Sequence, residues 1–298
     1  MVKLITTSVV RSRKTSESQG GTFLIDVECQ DVRQVMNLQP TDGDRNRPVP
    51  DIGLRGIAID GETVYFVSSE ALYAFSPDFK LVGTWRNPYL KQAGEMSIYE
   101  RSLYITSAAC DSILAFELDD KKFIWALHIN LDRFEYTGST YDPMGDEGPL
   151  HINKLQLNNV HANDDGMYIS GLKSGGMLHF NGESVYVSVT LPEGTHNAQP
   201  FREGVLFIDS VADAVRYASR SGEEDRAVQL HREDADNSVT DRRGFGRGLC
   251  LINDRVVATG SSPPAISIHD LQKSTTLLSV NLSGDADTAV HGLAVWPF

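Results

Sequence analysis

A unit of four short β-type segments, separated by tight-turn residues, recurs along this chain, and it restricts the fold more than any other feature. The clearest copy runs Arg55-Gly-Ile-Ala-Ile-Asp, Thr63-Val-Tyr-Phe-Val-Ser, Ala71-Leu-Tyr-Ala-Phe-Ser and Leu81-Val-Gly-Thr-Trp. Val, Ile, Tyr and Phe favour a pleated, half-buried backbone. Asp60-Gly61, Ser69-Glu70 and Pro77-Asp78, which lie between the segments, suit chain reversals. Four strands in about thirty residues is the content of one β-propeller blade.

The unit then returns. A second copy opens at Met96, with strands from Ser102, Ser112 and Lys122; a third opens at Val160-His161, with strands from Gly166, Gly176 and Ser184. A fourth starts at His196 and a fifth at Arg247; Arg55 to Tyr65, His196 to Leu206 and Arg247 to Val257 are each ten residues. The sixth is split: His291-Gly-Leu-Ala-Val-Trp-Pro-Phe supplies one strand, and segments 3–10, 22–26 and 32–38 supply the other three. The expectation is an all-β, six-bladed β-propeller, a single domain over 1–298, closed by pairing the N-terminal strands with the C-terminal strand. Such closure removes open sheet edges. No segment holds a 3.6-residue apolar period for three turns, which excludes a helical fold. Segments 38–53 and 233–246 read as loops, and 130–159 as a longer insertion, either a lid over a site or a disordered segment.

With 298 residues, 41% hydrophobic and 22% charged, the chain has enough apolar content for a sizeable core and too much for general disorder. No apolar run reaches the roughly 18–20 residues of a membrane span, and the first residues lack a secretory signal. Cys29, Cys110 and Cys250 are odd in number and far apart, as free thiols in a reducing cytoplasm would be. A net charge of −13 speaks against nucleic acid and anionic membranes as partners and leaves a small molecule.

Chemistry is sought where the repeat gathers polar residues. The starts of the first strands read Arg55, Glu95, His161, His196, Arg247 and His291, with Gly94 fitting as well as Glu95. Three imidazoles at one repeat position suit a divalent metal, zinc first, with iron or copper also open. A metal-free polar pocket and purely structural histidines are the other readings. Arg55 and Arg247 would take a substrate anion and stabilise developing charge, or would satisfy backbone carbonyls. Glu95 would serve as ligand or general base. Asn163 and Asn197 would bind polar groups of a substrate or cap turns, while Tyr141 and His151 would reach it from the insertion. His128, His179, His231 and His269 read as surface or interblade residues. No Ser nucleophile elbow or P-loop occurs. The glycine cluster Gly244-Phe-Gly-Arg-Gly248 precedes a strand rather than a helix, so no nucleotide cofactor is expected.

The segments Leu54-Arg-Gly-Ile-Ala-Ile-Asp, Trp85-Arg-Asn-Pro-Tyr-Leu, Asn158-Asn-Val-His, Gly194-Thr-His-Asn-Ala-Gln-Pro-Phe-Arg, Gly246-Arg-Gly-Leu-Cys and Val290-His-Gly-Leu-Ala-Val-Trp-Pro-Phe resemble a bacterial family of proteins of unknown function. That resemblance implies the fold and little chemistry. His161, His196 and His291 with Arg55 or Arg247 are also similar in arrangement to peptidyl-hydroxyglycine amidating lyase, a six-bladed propeller with a three-histidine zinc. Regucalcin and gluconolactonase propellers are a second likeness, in which Glu95 matches an acidic ligand and the histidines depart. The expected function is metal-dependent lyase, isomerase or hydrolase chemistry on a small polar or anionic metabolite at the channel mouth. The alternatives are a non-haem iron oxygenase and a non-catalytic propeller that binds a small ligand or a protein.

Overall fold

The computed structural model describes residues 2–10, 20–37, 52–220, 225–230, 245–282 and 288–298. Among them the only helical element is the 3-10 turn Ala108–Cys110, and no helix is long and apolar enough to cross a membrane. The rest is strand and turn, in six antiparallel sheets.

Blade 1 comprises Ile57–Asp60, Thr63–Val67, Ala71–Phe75 and Leu81–Arg86. Blade 2 comprises Ala93–Tyr99, Ser102–Ser107, Ser112–Glu117 and Lys122–Asp132, with Glu135–Tyr141 as a fifth strand. Blade 3 runs from Leu157–Asn163 to Val185–Thr190, blade 4 from Thr195–Phe201 to Asp225–Gln229, and blade 5 from Phe245–Leu251 to Thr275–Asn281. In blade 6, Lys3–Val10 lies between Thr288–Val295 and Gly21–Asp26, and Asp31–Asn37 follows. Leu4 pairs with Val295 and Val10 with Thr288, so the first and last strands share a sheet. The fold is the expected six-bladed β-propeller.

The burial pattern explains why the repeat is legible. Second and third strands are covered on both faces and read as continuous apolar runs, as in Val64–Val67, all buried. Fourth strands are partly exposed: in Leu81–Arg86 only Gly83 and Trp85 turn inward. The chain packs as two compact units, Arg55–Leu206 and Met1–Leu54 with Phe207–Phe298. In the first unit one core cluster joins Tyr65 and Leu72 of blade 1 to Leu103 and Phe116 of blade 2. A second joins Ile113 and Leu127 of blade 2 to Ile169 and Phe180 of blade 3. An aromatic contact recurs between neighbouring blades: Trp85 meets Phe116 at 5.0 Å, and Trp125 meets Phe180 at 6.1 Å. In the other unit, Leu4, Ile25, Cys250, Ile268 and Val290 form the corresponding core.

Three expectations change. The first part of segment 130–159 is β-structure, because Lys122–Asp132 runs on into it and Glu135–Tyr141 forms an edge strand paired from Ala126–Tyr141 to Asp132–Glu135. Its remainder is tied to the blade 1–2 connection and to blade 2: Asn87 Nδ2 donates to Pro143 O (2.9 Å), and Lys154 N and Leu155 N donate to the Asp111 carboxylate (2.6 and 3.0 Å). Of the loop read over 38–53, residues 38–51 lie outside the described residues, and Ile52–Gly53 pairs with Lys3–Val10. Of 233–246, residues 233–244 likewise lie outside the described residues, while Phe245 and Gly246 open the first strand of blade 5.

Candidate functional site

Strand register fixes which residues share a place in the repeat. Each first strand ends at a turn: Asp60 pairs with Thr63, Tyr99 with Ser102 and Asn163 with Gly166. In blades 5 and 6, Ile252 N donates to Val256 O and Trp296 N to Lys3 O at the same point, and Phe201 ends the first strand of blade 4. Five residues back from these turns stand Arg55, Gly94, Asn158, His196, Arg247 and His291. Register decides one open choice and corrects one assignment. Gly94, not Glu95, occupies the shared place in blade 2, and Asn158, not His161, occupies it in blade 3. His161 lies three residues further along, level with Ala58, Ser97, Gln199, Cys250 and Ala294. The shared set is thus two arginines, two histidines, an asparagine and a glycine.

The backbone marks the same place. Pairing with the second strand slips between Ile105 and Ser107 in blade 2, between Leu157 and Asn159 in blade 3, between Arg247 and Leu249 in blade 5 and between Thr6 and Ser8 in blade 6. Such a bulge bends the strand and re-aims its side chains. Asn197 and Gly248, each one residue past the shared place, have φ of 52° and 75°, a region glycine and asparagine tolerate best. Glycine is also needed for close approach: a Cβ on Gly56 would lie 2.6 Å from Gly94 O, and one on Gly94 would lie 2.7 Å from Thr106 Oγ1.

In the Arg55–Leu206 unit these places are linked from blade to blade. Arg55 Nη1 donates to Ala93 O at 2.9 Å, and Asn158 Nδ2 donates to Thr195 O at 2.8 Å. The two bonds are equivalent, since Ala93 precedes Gly94 and Thr195 precedes His196. Ser170 Oγ donates to Asn158 Oδ1 (3.1 Å), and Asn158 Nδ2 lies 3.4 Å from His196 Nδ1, so the amide steadies the imidazole. Asn158 is not among the site residues expected from the sequence. The signal that singles it out is its count from the turn. Arg55 is 8% exposed, Glu95 9%, His196 7% and Asn197 8%, which is strong burial for such polar residues. Glu95 O accepts from Thr106 Oγ1 at 3.2 Å.

The other expected residues are dispersed. His161 is half-buried, and desolvation holds its imidazole below the usual range. Asn163 stands at the opposite end of its strand from Asn158, where Oδ1 accepts from Asp165 N in the turn. Tyr141 packs edge-on against Tyr89 at 5.1 Å, and burial pushes its hydroxyl pKa up. His151 is exposed. In the second unit, Arg247 and His291 are half-buried, and a Cβ on Gly248 would lie 2.7 Å from His291 O.

Two histidines read as surface or interblade residues are buried within their own blades. His179 sits between Tyr186 Oη (2.7 Å) and Asp165 O (2.8 Å) and stacks on Tyr168. His269 sits between Thr259 Oγ1 (2.7 Å) and Thr276 Oγ1 (3.0 Å). His128 is half-buried, with Nδ1 2.9 Å from Cys110 O, and His231 lies outside the described residues. The cysteines are free thiols. Among the described residues no group of three or more His, Cys, Asp or Glu side chains is placed to hold a metal ion. The donor set does not fit a three-histidine centre.

No family model matches this sequence, and no curated protein matches it. Solved structures do resemble it. A chain from the crystal structure of a nidogen–laminin complex has TM-score 0.63 and 9% identity, covering 98% of each chain. A protein of unknown function from Bacteroides caccae has TM-score 0.63 and 11% identity, covering 100% of this chain and 99% of its own. Apo AztD from Citrobacter koseri has TM-score 0.51 and 12% identity, covering 96% and 84%. At such identities the likeness carries the fold alone, and that fold is the six-bladed β-propeller already read from the sheets.

Proposed function

We propose that this chain is a ligand-binding propeller that takes a small organic anion at the first-strand starts of the Arg55–Leu206 unit. The observation behind this reading is the shared repeat place, which register fills with Arg55, Gly94, Asn158 and His196 in successive blades. Arg55 contributes a permanent positive charge and a planar donor fork suited to a carboxylate. Asn158 and His196 contribute hydrogen-bonding groups, the Asn158 amide bonded to Thr195 O and set against His196 Nδ1, and Gly94 adds no side chain at its place. A buried guanidinium in a chain of net charge −13 is a local exception to the overall field, which is what selection of an anion requires.

The metal-dependent lyase, isomerase or hydrolase and the iron oxygenase are less well supported, because register keeps His196 and His291 at the shared place but sets His161 three residues away, and no group of three donors placed to hold a metal ion occurs among the described residues. Thermal denaturation with millimolar succinate, citrate and phosphate, each against a neutral amide or alcohol analogue, tests the anion-binding reading. At 100-fold over Kd a bound anion stabilises by about 2.7 kcal/mol. At least one carboxylate should raise the midpoint saturably, and Arg55→Gln should abolish the rise while Arg55→Lys retains part of it. No rise with any anion, or an undiminished rise in Arg55→Gln, would refute the assignment. Stoichiometric metal in protein purified without chelator, lost in His196→Ala, would restore the metal-dependent reading.

A further inference from the structure

We propose a second binding site, for a small organic cation of the quaternary ammonium class, in a groove between blades 2 and 3. The groove has a volume of about 450 Å³ and is lined by the rings of Tyr99, Tyr104, Trp125 and Phe180, with Asp164 and Asp165 at its rim. It lies at the turn end of the first strands, near Asn163, and so is separate from Asn158 and His196 at their starts.

Its chemistry follows from the repeat. At the boundary between blades 1 and 2 the ring of Trp85 closes against Phe116 at 5.0 Å; at the next boundary Trp125 stands 6.1 Å from Phe180 and lines an open cavity. Aromatic faces carry negative electrostatic potential and attract a desolvated cation. Among the described residues no lysine, arginine or histidine lines the groove to compete for them. The two rim carboxylates add charge of the complementary sign. The Asp165 carboxylate has no hydrogen-bond or ion-pair partner among the described residues, and Asp164 accepts only from Tyr99 Oη, at 2.7 Å.

A saccharide would also stack on these rings, but it needs a fan of directed polar groups. Here those groups are engaged in turns: Asn163 Oδ1 accepts from Asp165 N, and Asn181 Oδ1 accepts from Glu183 N and Ser184 N. Beside the Asn163 and Asn181 amide nitrogens and the Ser102 and Tyr104 hydroxyls, what the groove offers a ligand is ring surface and negative charge. A quaternary ammonium group, with no hydrogen bonds to satisfy, matches that surface.

Calorimetric titration of the full chain with choline tests the site, against its neutral carbon isostere 3,3-dimethylbutan-1-ol and against glucose. Choline should bind at least tenfold more tightly than the isostere, and glucose should not bind. The double variant Asp164→Asn, Asp165→Asn keeps shape and the Tyr99 acceptor while removing charge, and should weaken choline about tenfold. Trp125→Leu should abolish binding, and an unchanged thermal midpoint in the exposed-rim double variant separates loss of charge from loss of fold. Equal affinity for choline and isostere, preference for glucose, binding unaffected by the double variant, or no choline binding would each overturn the proposal.

Discussion

Replacing Asp111 by alanine should lower the stability of the Arg55–Leu206 unit by roughly 3–4 kcal/mol, read as a fall in the urea midpoint. Asp111 is 3% exposed, stands at φ 43° just after the 3-10 turn, and accepts from Lys154 N and Leu155 N. Burial pushes its carboxyl pKa up and the two backbone donors pull it down, with burial the stronger. The charge is therefore retained at a cost, and what it secures is the return of the chain from the edge strand of blade 2 to blade 3. Alanine removes both acceptors, leaves the buried Leu155 amide without a partner and strains a left-handed backbone. Asp111→Asn keeps the backbone preference and one acceptor and should cost about half as much. Limited proteolysis should then cut Asp111→Ala within 142–156 faster than the wild type. Unchanged cleavage together with an unchanged midpoint would mean that the segment is held by other contacts.

The second large effect is a dependence of stability on pH centred on His269. Its imidazole is 0% exposed and is bonded at both nitrogens to threonine hydroxyls, each able to donate or accept. Neutral histidine is satisfied there, and desolvation holds its pKa at about 4 against an ordinary 6.5. The sign follows from proton counting. Between pH 6.5 and 4 the unfolded chain binds a proton that the folded chain refuses, so stability is full above 6.5 and falls as the pH drops. The loss approaches roughly 3 kcal/mol once the pH is below the folded value. His269→Gln should be less stable at pH 7 but should show a flatter midpoint between pH 6.5 and 4. Asp270, whose pKa is held at about 2 first by its hydrogen bond with Arg255, gives up its contribution only between pH 3.8 and 2, so the two windows separate. Equal slopes for wild type and variant from 6.5 to 4 would exclude His269 as the origin.

The repeat made most of the fold legible. Buried second and third strands leave continuous apolar runs, and tight turns leave Gly and Asp between them, so the blades are readable even where the sixth is divided between the chain ends. Glu135–Tyr141 escaped because an edge strand is mostly exposed, and its Thr, Gly and Ser residues look like loop. The site was harder. In blade 3 the eye settles on His161, whereas the shared place is set by distance from the turn at Asn163. A bulge at the strand start hides that distance from spacing counted the other way. Asn158 carries no sign of its role, since a turn-capping asparagine and one bridging two blades are the same letter. His269 and His179 were misplaced for a related reason: a neutral histidine with two hydrogen bonds is as comfortable inside a blade as an apolar residue, and only cross-strand partners reveal it.

Lys3–Val10 has Thr288–Val295 on one side and Gly21–Asp26 on the other. During synthesis the early strand therefore emerges with half its hydrogen-bonding groups committed to a partner that the ribosome has yet to make. Loop-closure entropy grows only slowly with length, so the late pairing is thermodynamically accessible, but for most of translation the nascent chain carries one raw edge. A folding helper or a fast docking of the last strand would matter more to the yield of this protein than to its final stability.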